Sequence, residues 1–358
     1  MKKTSIIFII LSVFLAFISW VNNQYPKTHP LQFVIPKGWP APLYDFKQNP
    51  LTEEGFILGR KLFYDGRLSK DGNFSCASCH QQFAAFATYD HALSHGFSNS
   101  FTFRNAPGLF NLAWQNDFMW DGGINHLDLQ PLAPLTDPHE MGENIDSVLY
   151  KIRKDTTYKR MFADAFGKKE INTQLVTKAL SQFLLMLISA DSKYDRVMQG
   201  KDSFNLPQKL GYEIFQKKCI SCHAPPFFTD FSYRNTGLSV DDYLKDYGRM
   251  RITHKRVDSL KFRVPSLRNV QQTFPYAHDG RFGYLDAVLE HYRSGVIHSV
   301  TTDSLLENGI PLSNFEIGQI KAFLYTLTDS SFLKNPLFSP PDEKRMIPLP
   351  DAQQHALK

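Results

Sequence analysis

All four cysteines of this 358-residue chain fall in two copies of one short pattern, Cys76-Ala77-Ser78-Cys79-His80 and Cys219-Ile220-Ser221-Cys222-His223. C-x-x-C followed at once by histidine is the attachment signature of c-type haem. The two thiols add across the porphyrin vinyl groups, and the histidine reaches back to the iron as proximal ligand. Other chemistries use the same residue types. One pair alone reads as half a zinc site or a redox dithiol, and two pairs together as a single zinc site. Paired zinc knuckles usually close over a short span, whereas these pairs stand more than a hundred residues apart. Neither rival chemistry asks for a histidine directly after both pairs. Two covalently bound haems are therefore expected, with no cysteine left for a disulfide.

The elements that must hold these strings read as helices. Residues 23–50 are rich in proline (Pro26, Pro30, Pro36, Pro40, Pro42, Pro50) and form an extended lead-in. A helical pattern opens at Leu51-Thr52-Glu53-Glu54, with Thr52 as N-cap and acidic residues in the first turn. Gly59, Leu62 and Phe63 follow, then a turn at Asp65-Gly66-Arg67 and the first string. The second half repeats this arrangement: Leu206-Pro207 opens a helix that carries Gly211, Ile214 and Phe215 before the second string. Gly-x-x-x-Phe ahead of C-x-x-C-H in both halves indicates an internal duplication of a cytochrome c-like module. Asn172 to Met198 keeps helical spacing (Leu175, Ala179, Phe183, Met186, Leu187), and a final helix is expected from Asn314 to Thr328. Strand signals are sparse. The expectation is a mostly α protein with two helical haem domains, 51–200 and 201–330, joined near Gln199-Gly200-Lys201-Asp202, and a Pro-rich tail over 331–358.

Hydrophobic content of 42% and 30 phenylalanines provide aromatic cores, and a formal charge of +5 is too modest for a nucleic-acid binder. Met1-Lys2-Lys3 and the apolar run Ile6 to Val21 read as an export signal or N-terminal anchor over residues 1–22. Either places the rest outside the cytoplasm, in the periplasm, where c-type haem is attached.

From about residue 45 to 330 the chain resembles the bacterial di-haem cytochrome c peroxidase family, including its MauG-like branch. The residues that carry the resemblance are Phe63-Tyr64-Asp65-Gly66-Arg67-Leu68-Ser69, Arg104-Asn105-Ala106-Pro107, Phe118-Met119-Trp120-Asp121-Gly122, Glu140-Met141-Gly142, Val264-Pro265-Ser266-Leu267-Arg268-Asn269 and Pro275-Tyr276-Ala277-His278-Asp279-Gly280-Arg281. Their order around two haem strings makes the match specific.

The resemblance implies unequal haems. The N-terminal one, with His80 proximal, is the peroxidatic haem. Glu140 matches the distal acid/base, Gln130 the residue that orients peroxide or water, and Pro134 the residue lining the distal face. Trp120 matches the tryptophan that relays electrons between the haems. In the ordinary peroxidases a histidine near Ser94-His95-Gly96 caps the resting N-terminal haem, so His95 is a candidate ligand; solvated loop histidines are the alternative. The C-terminal haem, with His223 proximal, passes electrons. Its sixth ligand is methionine in the ordinary peroxidases and tyrosine in the MauG-like branch. The corresponding position here is Tyr292, and no methionine stands between Met250 and Met346. His291 and Met250 are the alternative ligands. A thioether raises a haem's potential, whereas a phenolate favours oxidised states. The family's inter-haem calcium maps to the Asn105 side chain and the Thr273 and Pro275 carbonyls. Arg268 and Arg281 are candidates for haem propionates or for salt bridges between domains. The surface tryptophan that MauG carries just before its second haem string is replaced by Gln216-Lys217-Lys218.

Three functions compete. The first is a peroxidase that reduces hydrogen peroxide with electrons from a small cytochrome c or cupredoxin. The second is a MauG-like oxidase of a protein or organic substrate. The third is a plain di-haem electron carrier, which would need no distal acid. The resemblance also raises a homodimer.

Overall fold

The computed structural model describes residues 28–341. The N-terminal signal or anchor and the chain beyond 341 lie outside the described residues. Among the described residues no helix is long and apolar enough to cross a membrane.

The fold is mostly helical. The longer helices are α1 (Glu53–Tyr64), α2 (Ile145–Lys154), α3 (Thr156–Phe166), α4 (Thr173–Leu185), α5 (Lys193–Met198), α6 (Leu206–Lys218), α7 (Leu285–Glu290) and α8 (Asn314–Leu324). One short antiparallel ribbon pairs β1 (Tyr233–Arg234) with β2 (Phe262–Arg263). Helix starts follow local chemistry. The Thr52 hydroxyl accepts the Gly55 N–H at 3.0 Å, and α6 and α8 open on the capping boxes Asn205/Gln208 and Ser313/Glu316. The periodic run 172–198 is two helices. Ser192 and Asp195 form a new capping box, and between the helices the Ser189 N–H donates to the Asn111 side chain at 2.9 Å.

The duplicated Gly-x-x-x-Phe has a packing role in each half. A Cβ on Gly59 would fall 1.9 Å from the Ala179 carbonyl of α4, and one on Gly211 would fall 1.9 Å from the Gln319 carbonyl of α8. Four residues on, Phe63 packs tilted against Phe183 at 5.1 Å and Phe215 against Phe323 at 5.0 Å. In both halves the helix leading into the haem string crosses a second helix at bare backbone, then locks with a phenylalanine pair. Two hydrophobic clusters result, one built on α1 to α4 and one on α6 to α8.

The lead-in lays Leu31, Phe33, Trp39, Tyr44 and Phe46 on the first cluster. Residues 331–338, read from composition as the start of a Pro-rich tail, do the same. Phe332 and Phe338 are buried in the first cluster, and the Phe338 carbonyl accepts the Tyr64 hydroxyl at 2.6 Å. Between the halves, half-buried Arg104 lies between Asp121 and Asp246, at 2.6 Å from each.

Candidate functional site

Each haem string forms one tight turn: the N–H of His80 donates to the Cys76 carbonyl at 2.9 Å, and that of His223 to the Cys219 carbonyl at 3.0 Å. The ring nitrogens repeat the symmetry. His80 Nδ1 lies 2.7 Å from the Phe86 carbonyl and His223 Nδ1 lies 3.0 Å from the Phe228 carbonyl. A carbonyl only accepts, so Nδ1 carries the proton and Nε2 is left bare, the form that ligates a metal. Phe86 and Phe228 hold left-handed backbone, φ 58° and 54°, uncommon for a bulky residue; it belongs to the turn that aims each carbonyl at its ring. Burial pushes His80 down to about 4 and His223 below its ordinary value, so both imidazoles are neutral. All four thiols are free. Among the described residues no three His, Cys, Asp or Glu side chains gather as a metal cage.

The second string opens onto a cavity of about 280 Å³, lined mostly by apolar side chains and holding Cys219, Cys222, His223 and Tyr292. Tyr292 stands in a π-helical turn, His291–Gly295, the kind of helix irregularity that often marks a functional site. Its phenol is pushed up to about 12, by burial first and then by the Cys219 and Cys222 thiols, so the three groups share one space. His291 Nε2 lies 2.8 Å from the Thr236 carbonyl and is occupied there. Met250 does not line the cavity. Two thiols, a neutral imidazole and a phenol around an apolar slot fit a covalently held porphyrin.

In the first half Glu140 stands on a bonded loop near the first string. Its N–H donates to the Asp137 carbonyl at 3.0 Å, and its own carbonyl accepts the Phe97 N–H at 2.6 Å. Pro134 stands in the turn Leu132–Thr136 just after Gln130, and its carbonyl accepts the Met141 N–H at 3.1 Å. Gln130, Pro134 and Glu140 thus belong to one bonded loop. Burial pushes the Glu140 carboxyl up to about 7, with Asp137 adding, and its charge reaches both Cys76 and Cys79. His95 lies on the adjoining loop. Its ring is exposed and packs on Phe101 at 4.6 Å and His91 at 5.3 Å, while its carbonyl lies 3.9 Å from Cys79 Sγ.

Trp120 joins the halves. Its indole donates to the Asn105 carbonyl at 2.8 Å, its own carbonyl accepts the Arg263 N–H at 2.7 Å, and it lines the second cavity together with Asn105, Thr273 and Pro275. Asn105 is buried, and its side-chain N–H donates to the Ala92 carbonyl at 3.1 Å, which turns its oxygen to other use.

Of the two roles open to Arg268, the structure shows the salt bridge between domains. Arg268 is fully buried in a two-bonded pair with Asp195, at 2.7 and 2.8 Å, and has no fork left for a propionate. Arg281 is paired with Asp279. Sequence reasoning missed Arg263, which lines the cavity and donates to Gln115 and to the Asp117 carbonyl. Its only signal was its place next to Val264-Pro265-Ser266.

Comparison with known proteins fits this geometry. The di-haem cytochrome c peroxidase family profile matches residues 53–203. The methylamine utilization protein MauG of Methylophilus methylotrophus is 33% identical over 92% of this chain and 96% of its own. The cytochrome c551 peroxidase of Nitrosomonas europaea is 31% identical over 79% of this chain and 83% of its own. A crystal structure of a MauG-like protein associated with microbial copper homeostasis superposes with a TM-score of 0.81 at 33% identity, covering 87% of this chain and 99% of that one.

Proposed function

The chain belongs to the di-haem cytochrome c peroxidase family, and on that premise we propose an exported peroxidase that reduces hydrogen peroxide to water with electrons from a small redox protein. Cys76, Cys79 and His80 hold one haem, and Cys219, Cys222 and His223 the other. When bound, the haems supply the redox-active iron that accepts peroxide and carries charge.

The protein's own groups divide the remaining work. The Glu140 carboxylate takes the proton from one peroxide oxygen and returns it to the other, which leaves as water. Gln130 orients the peroxide and Pro134 keeps the distal face narrow. Trp120 carries electrons from the His223 side to the His80 side, its ring fixed by the Asn105 carbonyl. With its ring packed on Phe101 and His91, His95 would leave the distal side of His80 open at rest. Asn105 Oδ1 and the Thr273 and Pro275 carbonyls, oxygen donors around one cavity, hold a calcium ion. The observation that carries the reading is Glu140: a half-buried carboxyl near 7 within electrostatic reach of Cys76 and Cys79. A plain electron carrier has no use for it.

Tyr292 supports a second reading, a MauG-like oxidase of a protein or organic substrate. A phenol facing the second string suits the storage of oxidising charge. Gln216-Lys217-Lys218 ahead of that string offers no aromatic exit of the MauG type, which favours the first reading.

The test is to mix the haem-loaded chain with peroxide and a reduced small cytochrome or cupredoxin. The peroxidase reading expects two donor molecules oxidised per peroxide, with steady turnover. Negligible donor oxidation beside peroxide-dependent oxidation of an added protein would overturn it in favour of the second.

A further inference from the structure

One segment near Trp120 is strongly basic. The whole chain carries a formal +5, yet residues 249–261 alone hold five cations, Arg249, Arg251, Lys255, Arg256 and Lys261, against one anion, Asp258. The segment folds as a knuckle: a short helix Met250–Thr253, His254 in left-handed backbone, and a turn Arg256–Asp258. Arg251, Lys255 and Arg256 are exposed, and between them Ile252 and Val257 expose 45% and 65% of their surface. The nearby acids are spent. Asp258 accepts the Thr253 hydroxyl at 2.9 Å and lies 3.7 Å from Lys261. Asp246, 3.8 Å from Arg251, is already bonded to Arg104. Among the described residues no ion pair engages Lys255 or Arg256.

This knuckle sits on the Trp120 turn. Arg249 donates to the Asp121 carbonyl at 2.9 Å. A Cβ on Gly123 would come within 3.1 Å of the Ile252 side chain. Just past the segment, the Arg263 N–H donates to the Trp120 carbonyl at 2.7 Å. A direct run of contacts therefore leads from exposed Ile252 to the tryptophan that lines the His223 cavity.

We propose that residues 249–261 form the docking surface for a small acidic redox protein, which delivers its electrons beside Trp120. The proposal rests on the peroxidase reading. Exposed apolar side chains ringed by unneutralised cations make a compact protein interface, and the like charges raise the encounter rate of an acidic partner. Each encounter moves one electron out of the partner's metal centre; two encounters and two protons balance the reduction of one peroxide to two waters.

The experiment uses the haem-loaded full chain, the Lys255→Glu/Arg256→Glu double variant, and an acidic plastocyanin-type cupredoxin as probe. Binding is measured by calorimetry, and oxidation of the reduced probe under peroxide by stopped flow. Binding should weaken at least about tenfold between ~10 and ~200 mM salt, and by a similar factor in the variant at low salt. Hydroquinone-driven peroxide turnover should be unchanged. The proposal is overturned if the variant binds the probe as tightly as the parent, or if a basic cytochrome c binds as well. Capture of DNA or anionic vesicles by the parent, lost in the variant at the same salt, overturns it too. Lost probe binding in the variant together with no peroxide turnover by the parent on any donor would keep the docking surface and sink the peroxidase reading instead.

Discussion

The indole N–H of Trp120 donates to the Asn105 carbonyl at 2.8 Å, and the Asn105 N–H donates to the His278 carbonyl at 2.7 Å. One residue of the first half thus fixes the tryptophan ring and ties it to the second half. The His278 ring is itself stacked on Phe262 of β2 at 3.7 Å. A ring held this way has little freedom to lose, which suits a relay between two sites.

Trp120→Phe should therefore uncouple the halves without unfolding them. It removes one hydrogen bond, about 1 kcal/mol, so the thermal midpoint should barely move. Donor-driven peroxide turnover should fall, while electron entry from the donor into the His223-side haem continues. Equal turnover in variant and parent would remove Trp120 from the path.

Tyr292 gives a prediction about potential. Its free phenol, pushed up to about 12, is protonated at ordinary pH and must lose that proton to bind ferric iron. Oxidation of the His223-side haem then releases a proton, and its midpoint potential should fall by about 59 mV per pH unit. Tyr292→Met should raise the potential and abolish that slope. Potentiometry with absorption detection reads both, and a pH-independent parent potential would exclude phenolate ligation.

The helix crossings are tested by stability. Gly59→Ala and Gly211→Ala each drive a methyl into a carbonyl 1.9 Å away. Overpacking of this kind costs about 1–3 kcal/mol or more. Gly283→Ala, where an added Cβ meets nothing within 4 Å, should melt like the parent. If all three variants melt together, the crossings are looser than described.

Asp195→Asn should be costly as well, because it strips the charge partner from a fully buried guanidinium, at about 3–5 kcal/mol. Burial alone would raise the Asp195 carboxyl, but Arg268 overrides this and holds it below its ordinary value. The pair therefore stabilises the fold above the unfolded carboxylate's pKa and is lost as pH falls through the depressed folded value. Acid unfolding of the parent should be steeper than that of the variant. Matching acid profiles would remove Asp195 from the stability argument.

Much of this was readable in the sequence because the chemistry is local. The C-x-x-C-H strings, the Thr52 cap and the Gly-x-x-x-Phe repeat each lie within a few residues, and all three carry through into matching structure. The rest turned on partners distant in the chain or on a break inside a continuous period. Arg268 stayed open between a propionate and a salt bridge because its partner Asp195 stands far away in sequence. Residues 331–338 looked like the start of a tail because proline content hides that Phe332 and Phe338 complete the first core. The run 172–198 kept its helical period through a break that Ser192 and Asp195 impose by capping. The unequal environments of Glu140 and Tyr292 were reached only through family resemblance, since neither side chain signals its burial.

The most direct measurement is the rate of the peroxide reaction against pH in the parent and in Glu140→Gln. With the carboxyl near 7 and the carboxylate as the active form, the parent rate should rise about tenfold per unit below that value and level off above it. Glu140→Gln should lose the limb and fall about 10²–10⁴-fold, with both haems retained. A variant that reacts at the parent rate with the same limb would contradict the account.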